Sequence, residues 1–185
     1  MDAMGFGVKW RKWINTCISS SSLSIFVNGS PTKEFHMGRG LRQGNPMSPF
    51  LFTLVMEGLS LAISKAEANN VYTSIKVGNN NINLSHLFFA NDIVFFGEWS
   101  LENLINIISI LHCFKRASGL RVNYEKSSLF RLGVNVDSLN TMASIIGCKP
   151  GKLPATFLGI PIGLNMKRIA NWNQLMDKFN KKLPL

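Results

Sequence analysis

Residues His86 to Glu98 read HLFFANDIVFFGE, two short and heavily apolar runs on either side of the polar pair Asn91-Asp92. No other stretch constrains the fold as much. Phe88-Phe89 and Ile93-Val94-Phe95-Phe96 favour strands and are apolar on both faces, as expected of a hairpin buried under helices. A two-residue turn at Ala90-Asn91 fits, because Asn tolerates positive φ better than most residues. On these residues alone Asn91-Asp92 is a tight turn, with a carboxylate left at the bend of a water-averse region.

The flanking sequence supplies both helices and further hairpins. VKWRKWINTCI carries Val8, Trp10, Trp13, Ile14 and Cys17 at roughly helical spacing and predicts an amphipathic helix. In SLSIFVNGSPTKEF, Asn28-Gly29 between strand-like runs predicts a hairpin. MGRGLRQGNP is a Gly-rich loop that ends at Ser48-Pro49, a cap followed by proline at the first helical position. The helix that follows should run to about Ala68, and its apolar residues occur all round, which predicts burial on most faces. VYTSIKVGNNNINL reads as a strand and a polar turn. A further helix is expected from a Ser100 cap to a stop at Gly119, with Glu102 in its first turn and Lys115 and Arg116 in its last. GLRVNYEKSSLFRLG alternates like strands around a turn, SLNTMASIIG reads as a helix ended by Gly147, and ATFLGIPIG is strand-like but broken by Pro161. Helices interleaved with hairpins give an α+β class with a mainly antiparallel sheet.

The composition bounds the function classes. With 46% hydrophobic and 16% charged residues in 185, the chain can bury a core and is too apolar for disorder. Its net charge of +10, from 20 basic and 10 acidic residues, implies a polyanionic partner such as nucleic acid or an anionic surface. Cys17, Cys113 and Cys148 lie far apart with no His at metal-ligand spacing, so they read as reduced core residues of an intracellular protein. No signal peptide is evident, and the apolar run PFLFTLVMEGLSLAI is cut by Glu57 and reads as too short to cross a bilayer. His86 and His112 read as packing or hydrogen-bonding residues, and His36 precedes the Gly-rich loop.

Four stretches in order change the reading of the bend. RGLRQGNPMSPFLFTLVMEGL, LSHLFFANDIVFFG, SGLRVNYEKS and FLGIPIG resemble the successive motifs of the reverse transcriptase palm, above all that of the non-LTR, LINE-type elements common in plant genomes. The lead-in MGFGVKWRKWINTCISSSSLSIFVNGSP also looks like the segment preceding the loop in those elements. The resemblance implies a polymerase palm-type antiparallel sheet with a buried hairpin and packed helices, and with fingers and thumb largely missing. It divides residues 1–185, as one partial domain, into a lead-in (1–35), a motif-bearing core (36–163) and the start of a thumb connection (164–185).

By the same resemblance the chain descends from an RNA-directed DNA polymerase, a nucleotidyltransferase that uses Mg²⁺ or Mn²⁺ and takes an RNA template and a DNA primer. Nuclear residence also follows only from the resemblance, and no membrane partner is expected. In the family the turn reads aromatic-Ala-Asp-Asp. Asp92 matches the second acid, as metal ligand, and Asn91 stands at the place of the first, where the change removes a full negative charge from a site built for a hard cation. Gly40, Arg42, Gln43, Gly44 and Pro46 match the loop that lies against nucleotide and template, with Asn45 where the family usually has Asp. Lys126 matches a lysine that protonates the leaving pyrophosphate or contacts phosphate, and Phe157, Leu158 and Gly159 match the hairpin that grips the primer end. None of the acids before the hairpin, Asp2, Glu34, Glu57 and Glu67, matches the family's upstream Asp. The expectation is therefore a palm fragment inactive on its own. A non-catalytic nucleic-acid-binding module and a relic of a decayed element stay open beside it.

Overall fold

The computed structural model describes residues 1–19, 22–36, 44–132 and 136–183. They form an α+β chain whose contacts gather into two compact units, Met1–Gly97 with His112–Leu120, and Glu98–Leu111 with Arg121–Leu185. The strands pair as six two-stranded ribbons among the described residues, five of them antiparallel.

In the first unit, helix α1 spans Val8–Ser19. Of its expected apolar side only Ile14 is buried, while Val8 and Trp13 are exposed. Trp10 instead stacks on Phe6 and meets Phe50 edge-on at 5.7 Å. The Asn28-Gly29 hairpin forms as expected. Strands β1 (Ser22–Leu23) and β4 (Phe35–His36) pair at its base, and β2 (Phe26–Val27) and β3 (Ser30–Pro31) at its tip. Both turn residues have positive φ, 51° at Asn28 and 82° at Gly29, the arrangement that suits the twist of a tight hairpin. Two residues separate the pairs on the first arm and three on the second, so the ribbon carries a bulge.

Helix α2 spans Ser48–Ala68, and three expectations about it need correction. The residue at its N-terminal cap is Met47, not Ser48, and the preceding turn is closed by Asn45, whose Oδ1 accepts from the Met47 N–H at 2.9 Å. The helix is not buried on most faces. Leu51, Met56, Leu59 and Ile63 form one buried stripe, while Phe50 and Leu61 are about half exposed. Its 21 residues are also long and apolar enough, by length and composition, to cross a membrane, which corrects the reading of the apolar run as too short. One face nevertheless serves the protein's own interior, because Leu59 and Ile63 are wholly buried. Beyond it, Tyr72 is buried and its hydroxyl donates to the Phe96 carbonyl at 2.7 Å; burial, with Glu67 adding to it, pushes the phenol up to about 12.

Two hairpins complete this unit: β5 (Ile75–Val77) with β6 (Ile82–Leu84), and β7 (His86–Phe89) with β8 (Asp92–Phe95). Helix α3 (Leu101–Ser118) starts in the second unit and ends in the first. Its cap is the expected one. Ser100 Oγ accepts from the Asn103 N–H at 3.0 Å, buried Asn103 in turn donates to the Glu98 carbonyl, and Gly119 closes the helix at φ 78°.

In the second unit, Tyr124–Lys126 form a single 3-10 turn capped by Asn123, and only Ser128–Leu129 (β9) is a strand, so the alternation in this stretch does not make two strands. The competing hydrogen bond is local: Asn123 Oδ1 accepts from the Lys126 N–H. β9 pairs in parallel with β10 (Lys149–Pro150), on the far side of α4 (Val136–Ile146), which ends at Gly147 as expected. ATFLGIPIG is a complete hairpin, β11 (Ala155–Phe157) with β12 (Ile160–Ile162), and Pro161 sits within β12 opposite Thr156 instead of breaking it. Each ribbon has only two strands, so the N–H that proline lacks is dispensable on the outer edge. Helix α5 spans Asn173–Lys182. The three cysteines are free thiols, but only Cys17 and Cys148 are half-buried. Cys113 is exposed, against its expected place in a core.

Candidate functional site

The β7–β8 register sets Phe89 opposite Asp92, so the turn is Ala90-Asn91 as the sequence predicts. The strained backbone is on the other residue, however. Ala90 has φ 50°, and Asn91 does not have positive φ. Alternation assigns His86, Phe88, Ile93 and Phe95 to one face and Leu87, Phe89, Asp92 and Val94 to the other. The first face meets α2. His86 Nε2 lies 3.0 Å from Ser60 Oγ, its Nδ1 lies 3.0 Å from Ser85 Oγ, and its ring packs against Phe88. Burial holds the His86 pKa below its usual range, partly offset by the carboxylates of Glu67 and Glu57. The second face is open, with Leu87 48% and Phe89 61% exposed, so the hairpin is covered on one side and not buried as expected. A hairpin of this composition needs cover on both faces to bury its apolar side chains, and α2 provides it on one.

Asn91 and Asp92 are exposed at the tip. Beneath the turn, Phe52, Thr53, Met56 and Glu57 of α2 meet Phe88 and Ala90 around an open cleft of about 210 Å³. Glu57 therefore stands beside the turn, a neighbour that the sequence reading placed only in its helix. The clue was a lone charge interrupting an apolar run.

Two other candidates share this unit. Gly44 has φ 84°, a left-handed conformation that favours glycine, and Pro46 follows it in the turn leading into α2. Gly40, Arg42 and Gln43 of the same loop lie outside the described residues. In the second unit, Lys126 is exposed at the end of its 3-10 turn. Phe157, Leu158 and Gly159 occupy the end of the β11–β12 hairpin, with φ 52° at Leu158 and 83° at Gly159. Lys178 Nζ of α5 donates to the Gly159 carbonyl at 3.2 Å, a tie that the sequence does not signal.

Mg²⁺ binds through one or two carboxylates together with substrate phosphates. At the β7–β8 tip Asp92 offers one carboxylate and Asn91 a neutral amide, and among the described residues no three His, Cys, Asp or Glu side chains converge. The tip thus offers a Mg²⁺ ion one carboxylate, with the remaining positions left to substrate phosphates and water.

A profile of the family described as "Reverse transcriptase (RNA-dependent DNA polymerase)" matches residues 2–162. An uncharacterized mitochondrial protein of Arabidopsis thaliana is 36% identical over 111 residues, which are 60% of this chain and 90% of that protein. The retrovirus-related Pol polyprotein from the type-2 retrotransposable element R2DM of Drosophila melanogaster is 29% identical over 128 residues, 66% of this chain and 10% of the polyprotein. The Pol polyprotein from the type-1 element R2 of Popillia japonica is 24% identical over 126 residues, 68% of this chain and 20% of the polyprotein. The chain thus spans a fifth or less of the retroelement polyproteins that it matches.

Proposed function

We propose, from the premise that this chain belongs to the reverse transcriptase family as a domain of the LINE-type retroelement kind, that it holds template and primer without extending them. In this reading β7–β8 is the palm hairpin and Asp92 its metal-facing acid. Gly40, Arg42, Gln43, Gly44 and Pro46 meet the nucleotide and the RNA template. The β11–β12 tip at Phe157, Leu158 and Gly159 meets the DNA primer end, and Lys126 contacts phosphate. The observation that carries the reading is Asn91, an exposed neutral side chain at the place of the family's first acid, which takes one full negative charge from the turn that Asp92 shares. Net charge supports the binding half of the reading. A chain of +10 attracts a phosphate backbone whatever its sequence.

Primer extension on an RNA template with Mg²⁺ or Mn²⁺, run on this chain and on Asn91→Asp, tests it. The unsubstituted chain is expected to bind the template–primer duplex and add no nucleotide. Metal-dependent extension by the unsubstituted chain would overturn the reading. Extension by Asn91→Asp alone would assign the loss to the missing charge, and none by either would leave a binder lacking further acids.

A further inference from the structure

We infer that the outward side of α1 is a stacking platform for single-stranded nucleic acid, a second binding surface set apart from the β7–β8 tip. Trp13 is 54% exposed, and Lys9 Nζ stands 5.2 Å from its ring centroid. Lys12 is exposed next to it in sequence, and α1 contains no acid. The nearby carboxylate of Asp2 is paired with Arg11 at 2.6 Å, and among the described residues no ion pair forms to Lys9 or Lys12.

The neighbours of Trp13 on the helix surface decide among occupants. Lys9 and Trp10 lie about one turn before it and Thr16 and Cys17 about one turn after, so the indole sits in a mixed aromatic and polar surface and not in a continuous aliphatic face. A lipid surface wants such an apolar face. A flat ring flanked by cations suits a base and its phosphates, because every base has a π-face and the backbone is anionic. Position adds to this. Trp13 meets Trp10 edge-on at 6.3 Å, Trp10 meets Phe50 at 5.7 Å, and Phe50 lies in the first turn of α2, six residues after Gly44. The aromatic row therefore starts beside the loop proposed to meet the template and leads to Trp13. The inference rests on the proposed function only for the choice of polyanion.

The test uses the full chain and fluorescence anisotropy at low salt, with four probes: a blunt RNA–DNA duplex, the same duplex with a single-stranded 5′ template overhang of RNA or of DNA, and free oligo(U). The overhang is expected to tighten binding, and Trp13→Ala to lose that gain, on the order of tenfold, while leaving the blunt duplex unaffected. Trp13→Phe should restore most of the gain, because it keeps a π-face. Lys9→Gln with Lys12→Gln should lower the salt slope for oligo(U) by roughly one. Trp172→Ala, which removes an exposed indole from the second unit, serves as the control and should change nothing. Equal binding of overhang and oligo(U) by the chain and by Trp13→Ala overturns the platform while leaving the proposed function in place. Tight, Trp13-dependent binding of oligo(U) without binding of the blunt duplex supports the platform and overturns the proposed function. No binding of any probe overturns both.

Discussion

At the scale of single residues, the placement of positive φ on Ala90 matters most. Since Asn91 is not held in a left-handed conformation, the side chain at 91 is chosen free of backbone strain, and Asn91→Asp tests charge without disturbing the turn. The sequence made the turn legible to the residue but pointed to the wrong one of its pair. It relied on Asn's tolerance of positive φ, whereas the register fixes only the two-residue loop and the turn type decides which position carries positive φ. His86 shows the opposite outcome. It was expected to pack or to hydrogen-bond, and it does both, but its partners Ser60 and Ser85 could not be named because one lies 26 residues away on α2. Its pKa is lowered in the folded protein, so the unfolded chain binds the proton more readily and folding loses stability as pH falls. The loss should begin near the ordinary value of 6.5 and level off below the folded value. Urea midpoints measured from pH 8 to pH 5 should fall for the unsubstituted chain, and that component should vanish in His86→Gln.

At the scale of elements, α2 illustrates what composition can and cannot reveal. Its existence and its end at Ala68 were legible from the apolar run and the proline at its start, but a helix apolar all round gives no sign of which side faces inward. The answer comes from the elements around it. Leu59→Ala should cost about 2–5 kcal/mol, because a wholly buried leucine leaves a cavity, whereas Leu61→Ala two positions on should cost well under 1 kcal/mol. Thermal melts of the two variants check the contrast. In the β11–β12 region, Gly163 combines φ 84° with a neighbour, Leu153 Cβ, only 2.9 Å from where a Cβ would stand. Gly163→Ala should therefore cost about 1–2 kcal/mol from backbone conformation alone, read as a lowered melting temperature. The helix caps at Ser100, Gly119 and Gly147 were legible because capping chemistry is local. The 3-10 turn at Tyr124–Lys126 was misread because the bond from Asn123 competes with the strand pattern at the same range.

At the scale of the whole molecule, net charge and family motifs were legible in the sequence. The charge predicts that raising salt from 50 to 200 mM weakens binding of the template–primer duplex by about tenfold or more, since even a few phosphate contacts release counterions. A salt titration followed by anisotropy checks this, and a flat response would exclude phosphate contacts as the main attraction. The two compact units interleave, because α3 leaves one and enters the other between Leu111 and His112. That interleaving has a consequence at the level of the message. A stop codon before position 121 leaves both units incomplete, while one further on spares the first unit entirely and damages only the second. Premature termination therefore falls unevenly along the reading frame: a message cut after position 120 still encodes every residue of the unit bearing the β7–β8 tip, whereas no message encodes the whole unit bearing the β11–β12 tip without the other.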